Sequence, residues 1–272
     1  LWGRPTSSSG LLKADDDDDM KPDCGVEAST DLIHQNPWTV YLEFWWDDVR
    51  TDIRCSASLV DRRHLITAAH CITTPKFTRI VARLGEYDLT TLVDCVDKIC
   101  SPRVVRLEIT DIVLHPHYDG SVHDIAVLKL EKDAPYTDFI RPICLPSGKL
   151  QPKIIFTASG FGEQPGRRYY STTKKIVTLP YWEKDACQIA YKKYAIPRHV
   201  ICAGGVEGID TCRGDSGGPL VWVKERAELW GITSAGSVKC GTRDLPGLYT
   251  NVVDHLRWIL AVIADSNIGI NS

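Results

Sequence analysis

Gly214-Asp215-Ser216-Gly217-Gly218-Pro219 follows Cys212 and lies between two runs. One is apolar, Val200-Ile201-Cys202-Ala203, and the other is strand-like, Leu220-Val221-Trp222-Val223. The glycines let the backbone approach a substrate closely and turn its N–H groups toward one point. Such a loop can present a serine Oγ beside donors for a developing oxyanion. Taken alone, it also reads as a tight turn tethered by Cys212, because a motif stays a hypothesis until its context is found.

Two other stretches supply that context. Leu65-Ile66-Thr67-Ala68-Ala69-His70-Cys71 is an apolar strand that ends in a histidine. His123-Asp124-Ile125-Ala126-Val127-Leu128-Lys129-Leu130 sets an aspartate at the head of a buried-looking strand. Singly, the histidine reads as structural and the aspartate as a turn residue. In the order His, Asp, Ser, the three motifs resemble those of the chymotrypsin/trypsin family of serine proteases. The resemblance runs from Cys24 to about Ile263.

The chain has 272 residues, 43% of them hydrophobic, with a net charge of −3. That length suffices for one large β domain or two small ones. The five aspartates Asp15 to Asp19 carry more than this net charge, leaving about +2 elsewhere. There is no nucleic-acid signal, and no apolar run reaches membrane-spanning length. Ten cysteines, an even count, point to an oxidising compartment and five disulfides. The metal reading is poor, because no CxxC pair exists and His70-Cys71 is the only close His/Cys pair.

From Pro37-Trp38-Thr39-Val40-Tyr41-Leu42 onward the pattern is short strands with turns between them. They are expected at Ser58 to Val60, Arg79 to Leu84, Val104 to Leu107, Ile112 to Leu114, Ala126 to Leu130 and Ile154 to Ala158. Others follow at Lys175 to Leu179, Leu220 to Val223, Leu229 to Thr233 and Gly247 to Asn251. Glu183 to Tyr194 reads as a short helix. Asp254 to Ala264 reads as an amphipathic terminal helix, with Asp254 as its N-cap. The fold class is therefore all-β. The resemblance implies two six-stranded antiparallel barrels with a C-terminal helix and a cleft between the barrels. Residues 24–266 would be the protease domain and 267–272 a tail. Residues 1–23, rich in Ser, Gly and Asp, read as a linker or leader that cannot bury enough apolar surface to order itself. Asp15 to Asp19 before Lys21 resemble a trypsinogen activation peptide. Met20 interrupts that pattern, and Pro22 makes Lys21–Pro22 a poor cleavage site.

The resemblance also implies roles. Ser216 would be the nucleophile, His70 the general base and Asp124 its orienting partner. The backbone N–H groups of Gly214 and Ser216 would form the oxyanion hole. Asp210 would form the base of a primary pocket selective for Arg and Lys, with Gly236 and Gly247 as pocket walls. Ser234 would support Asp124 and the substrate backbone. Ala235 stands where relatives usually carry an aromatic. The family's disulfides would be Cys24–Cys144, Cys55–Cys71, Cys187–Cys202 and Cys212–Cys240, leaving Cys95 to pair with Cys100. Phe156 and Trp222 stand where a further family disulfide is missing. That absence, with the small Cys95–Cys100 loop, resembles the arthropod clip-domain proteases, although no clip domain is read in this chain. Glu86 lies where relatives often ligate calcium. No second carboxylate completes a site that needs six or more oxygens, so no metal or cofactor is expected.

One departure bears on activity. Active members carry a new N terminus, usually Ile-Val-Gly-Gly after Arg or Lys, whose ammonium pairs with the aspartate before the serine, here Asp215. Cys24-Gly25-Val26-Glu27-Ala28 leads almost directly to Pro37-Trp38, with no such sequence between. Two expectations follow. The first is a secreted, extracellular and monomeric endopeptidase that cuts protein substrates after Arg or Lys in an immune or clotting cascade. It would meet serpin-type inhibitors and have no nucleic-acid or membrane partner. The second is a zymogen-locked or non-catalytic protease-like cofactor or binding protein.

Overall fold

A computed structural model describes residues 24–268 except 74, 75, 167, 168 and 193. The expected linker over residues 1–23 and the last four residues lie outside the described residues. Two closed antiparallel barrels account for most of the described chain. The first has strand order β1-β2-β3-β8-β7-β4, built from β1 (Thr39–Trp46), β2 (Val49–Leu59), β3 (His64–Thr67), β4 (Arg79–Leu84), β7 (Val105–Leu114) and β8 (Ala126–Leu130). The second has order β10-β11-β14-β13-β12-β9. Its strands are β9 (Ile155–Gly160), β10 (Lys175–Trp182), β11 (Val200–Gly204), β12 (Pro219–Val223), β13 (Ala227–Ala235) and β14 (Pro246–Asn251). The remaining pair, β5 (Cys95–Val96) and β6 (Ile99–Cys100), forms a small hairpin closed by the Cys95–Cys100 disulfide.

Alternation within the strands explains the two cores. Val40, Leu42 and Phe44 on β1 point inward together with Leu65, Ala82, Leu107 and Leu128. Phe156, Ala158, Leu179, Leu220, Trp230 and Tyr249 fill the second barrel. Closure removes every free edge of the twelve barrel strands. The β9/β12 register pairs Leu220 with Ala158 and Val221 with Thr157, so Trp222 and Phe156 come next across from each other. Phe156 belongs to the second core and Trp222 packs against it, so apolar side chains stand where the missing disulfide would lie. The five disulfides join Cys24–Cys144, Cys55–Cys71, Cys95–Cys100, Cys187–Cys202 and Cys212–Cys240.

Two helix expectations change. The short helix α2 covers Lys184–Ala190, after the one-turn helix α1 (His70–Thr73). Asp254 is not an N-cap. It sits inside a 3-10 turn, Val253–His255, and its carboxylate accepts from Asn251 Nδ2 at 3.1 Å. Asn251 Oδ1 instead accepts the Val253 N–H at 3.1 Å, so capping begins three residues earlier than expected. The terminal helix α3 spans Leu256–Ile268, past the expected boundary at 266. It packs Leu256, Trp258, Ile259 and Val262 on a core cluster that joins Leu42 and Leu128 of the first barrel to Val221 and Ile232 of the second. It therefore straps the two barrels together. Among the described residues no helix is long and apolar enough to cross a membrane.

Candidate active site

His70 begins α1, where β3 ends and Cys71 is tied back to Cys55 on β2. That tether fixes the backbone at the histidine. Asp124 precedes β8, which pairs with β3, so the two residues meet at the barrel mouth. The His70 backbone N–H donates to Asp124 Oδ1 at 2.8 Å, and His70 Nδ1 lies 2.7 Å from Asp124 Oδ2. Ser234 Oγ donates to the same Oδ2 at 2.5 Å, and Thr250 Oγ1 donates to the Asp124 carbonyl at 2.9 Å. Burial pushes the Asp124 carboxyl up. The hydrogen bonds from His70 and Ser234 and the His70 charge outweigh it, so the group is held below the ordinary carboxylate range. An ionised Asp124 holds the imidazole with its Nδ1–H toward the carboxylate, leaving Nε2 with a 3.9 Å contact to Cys71 Sγ.

Ser216 is brought to the same cleft by a different route. Its carbonyl accepts the Ser56 N–H at 2.7 Å, and Ser56 neighbours the cysteine bonded beside His70. Gly217 has φ of +78°, and a Cβ there would lie 2.1 Å from Thr67 Oγ1 and 2.3 Å from the Ser56 carbonyl. Only glycine lets the serine loop sit this close to the strand that carries His70. Among the described residues, no hydrogen bond joins Ser216 Oγ to His70 Nε2. Catalytic bonds of this kind are often long without substrate and tighten in the reacting complex. Gly217→Ala is expected to lower stability by about 1–3 kcal/mol, read as a drop in the thermal midpoint. An unchanged midpoint would mean the serine loop does not depend on this contact.

The oxyanion donors follow from peptide geometry. The Arg213 carbonyl accepts the Glu163 N–H at 2.8 Å. In a trans peptide the N–H points opposite to the C=O, so the Gly214 N–H faces away from Glu163. Among the described residues, neither the Gly214 nor the Ser216 N–H donates within the protein. The Gly217 N–H, by contrast, is taken by the Thr233 carbonyl at 2.8 Å. Two adjacent unspent donors beside a serine suit an alkoxide in formation.

Asp215, beside the serine, is seated on backbone amides. Its Oδ1 accepts from the Gly162 N–H at 2.7 Å and its Oδ2 from the Cys212 N–H at 2.9 Å. Gly160 and Gly162 make this seat, since a Cβ on either would come within 2.5 Å of the carboxylate. Neither glycine stands out in the sequence, where they come at the end of an ordinary strand. Burial pushes the carboxyl up to about 6 against the two N–H bonds, with the Asp210 charge adding to the rise. Among the described residues no cation lies within ion-pair reach of Asp215.

A cleft of about 240 Å³ adjoins the serine. Its lining includes Ser216, Ser234, Ala235, Gly236 and Gly247. A Cβ on Gly236 would stand 3.8 Å from the Gly247 Cα, so these two glycines face each other across the opening. Asp210 lines a smaller neighbouring cavity of about 50 Å³ with Asp215, and Thr211 lines both. Asp210 Oδ2 accepts the Gly241 N–H at 2.9 Å, whereas the buried Oδ1 has no partner. Burial raises the Asp210 carboxyl, and the Gly241 and Thr211 N–H groups pull it back only partly.

Glu86 is buried and ion-paired with Arg83, so a guanidinium already occupies the space beside it. A second carboxylate does approach: Asp94 acts on Glu86, which burial and this neighbour push up to about 7 despite Arg83. Asp94 is itself spent on the Tyr87 and Asp88 N–H groups at 2.7 and 3.0 Å and on the Thr91 hydroxyl.

A sequence profile of the family described as Trypsin matches residues 26–259. The chain is 35% identical over 266 residues to CLIP domain-containing serine protease B15 of Anopheles gambiae, covering 89% of this chain and 72% of that protein. It is 37% identical over 267 residues to the phenoloxidase-activating enzyme of Bombyx mori, covering 86% of this chain and 59% of that protein. Among solved structures, mouse neuropsin, a serine protease expressed in the limbic system of the brain, superposes with a TM-score of 0.72 at 28% identity. That match covers 86% of this chain and 97% of neuropsin.

Proposed function

The chain belongs to the trypsin family of serine proteases, and from that premise we propose that it is a secreted endopeptidase that cuts protein substrates after Arg or Lys, within an extracellular cascade. The observation that carries the reading is the pair His70–Asp124, at 2.7 Å, set beside a serine loop with two unspent N–H donors. Ser216 Oγ attacks the peptide carbonyl, and His70 takes its proton and returns it to the leaving amine. Asp124 stabilises the imidazolium, while Gly214 and Ser216 N–H hold the oxyanion. Asp210 supplies the negative charge for the substrate's basic side chain. Five disulfides support an oxidising, extracellular setting, and the cascade role rests on similarity to the clip-domain and phenoloxidase-activating relatives. Serpin-type inhibitors would engage the same cleft, and no cofactor is needed.

The test is covalent labelling. A fluorophosphonate should modify Ser216, identified by peptide mass, and Ser216→Ala should remove the modification. Labelling elsewhere with none at Ser216 would end the proposal. A second reading is a zymogen-locked or non-catalytic protease-like binding protein. It is favoured by one observation: Asp215 has only amide partners, with no Ile-Val-Gly-Gly segment between Cys24 and Pro37.

A further inference from the structure

Five of the chain's eight histidines gather in one patch. His115 follows β7, His117 and His123 lie in the connection to β8, His199 precedes β11, and His255 closes the 3-10 turn before α3. The His115 and His123 rings stack with centroids 4.6 Å apart, and His255 stands edge-on to both at 5.1 and 5.2 Å. We propose that His115, His123 and His255 form a binding site for a late first-row divalent cation of the zinc class. One ligand nitrogen from each residue lies within 4.8 Å of the other two. Two nitrogens on a tetrahedral zinc ion stand about 3.4 Å apart, so rotations of these rings suffice to close the set.

The hydrogen bonds around the patch arm the nitrogens. His255 Nδ1 lies 2.6 Å from the Asn251 carbonyl, which only accepts, so Nδ1 carries the proton and Nε2 keeps its lone pair. That Nε2 accepts from His123 Nδ1–H at 3.0 Å, a bond that an ion would replace as the His123 proton moves to its other ring nitrogen. A carbonyl behind one ring nitrogen and a lone pair in front is the usual support of a metal-bound imidazole. His199 is oriented the same way by a carboxylate, with Nδ1 3.1 Å from Asp254 Oδ2, and its ring stacks on His123 at 4.6 Å. The fourth position of the ion would be left to water. His115 Nδ1 accepts the His117 N–H at 3.3 Å, a weak bond easily exchanged for an ion.

The chemistry of the set selects the ion. Metals are bound by neutral imidazole. An all-nitrogen set suits zinc, copper or nickel and not calcium or magnesium. The other close trio, Cys55, His70 and Cys71, has both sulfurs in a disulfide and offers no thiolate. His123 directly precedes Asp124, and Asn251, which orients His255, follows Thr250, the donor to the Asp124 carbonyl. An ion held here would stiffen the segment that carries the triad aspartate.

The test reads binding, so it stands whether or not the chain turns over substrate. Isothermal titration of the whole chain with zinc chloride near neutral pH is expected to give one ion per chain and a raised thermal midpoint. His115→Gln and His123→Asn should each weaken binding by roughly tenfold or more. Asn suits position 123, where φ is +55°. His34→Gln and His70→Ala should keep the parent affinity. His115 is partly exposed, so its variant keeps the test open if another misfolds, which far-UV dichroism without zinc would reveal. No saturable binding up to about 1 mM zinc, at the upper end of site affinities, would overturn the proposal. Undiminished affinity in His115→Gln, or loss of binding in His70→Ala, would do so equally.

Discussion

Asp210→Ser should cut kcat/KM for an Arg substrate by roughly 10²–10⁴-fold and leave cleavage after Phe nearly unchanged. Removing one partner of a buried ion pair costs about 3–5 kcal/mol, and each 1.36 kcal/mol is a factor of ten in rate. The pair in question forms only when substrate binds. Asp210 Oδ1 is buried with no hydrogen-bond partner, while Oδ2 accepts the Gly241 N–H. A guanidinium would bring donors to a carboxylate that lacks them. Thr211 lines both the main cleft and the small cavity that holds Asp210, and its hydroxyl lies 2.8 Å from the Tyr249 hydroxyl. A Cβ on Gly247, a wall of the main cleft, would lie 3.3 Å from Asp210 Oδ1, so the carboxylate stands against that wall. A pH dependence follows. Burial raises the Asp210 carboxyl above the ordinary range, so protonation on acidification begins earlier than for an exposed carboxylate. KM for Arg substrates should then rise as pH falls, with Phe substrates spared. Steady-state kinetics on matched Arg and Phe peptides measure both effects. Equal turnover of the two by the parent would remove Asp210 from the pocket.

Much of this was legible because barrel strands alternate. Arg79–Leu84 and Ala126–Leu130 were read with the bounds the structure gives them, since turn residues flank both runs. Val104 to Leu107 and Ile112 to Leu114 were read apart because Glu108, Thr110 and Asp111 interrupt the apolar pattern. In the structure they belong to one strand, β7, whose exposed face carries those polar side chains and whose register shifts between Ile109 and Asp111. The motif residues could be named because each triad position sits beside a recognisable apolar run or cysteine. Their supports could not. Ser56 and Thr67 are ordinary strand residues until the serine loop folds against them. The histidine patch was equally hidden, because its members are spread over 140 residues and meet only through barrel closure and the turn into α3.

The unpaired Asp215 sets the last expectation: the chain as it stands should react slowly at Ser216, and an added Ile-Val dipeptide should speed that reaction by roughly 10²-fold. The carboxyl rises to about 6 in the folded protein from 3.8 in an exposed setting. By linkage that difference is worth roughly 3 kcal/mol. The sign is that of an acid with a raised folded-state value. Its contribution to stability is fully present below about pH 4 and is lost as pH rises through about 6. At neutral pH the ionised group therefore favours any arrangement that lets it reach water. Leaving its seat would release the Gly162 and Cys212 N–H groups and carry the neighbouring Gly214 and Ser216 donors out of place. Losing one such donor costs about 2.7–4 kcal/mol in rate, or 10²–10³-fold. An ammonium reverses the balance by giving the buried charge a partner. The small cavity lined by Asp215, Gly160, Gly162 and Asp210 has room for one. Fluorophosphonate labelling rates with and without dipeptide measure the effect directly. Asp215→Asn should abolish the dipeptide's gain and flatten the fall in thermal midpoint between about pH 4 and 6. Rapid stoichiometric labelling of the parent without dipeptide would show that the two backbone amides alone hold Asp215 in place at neutral pH.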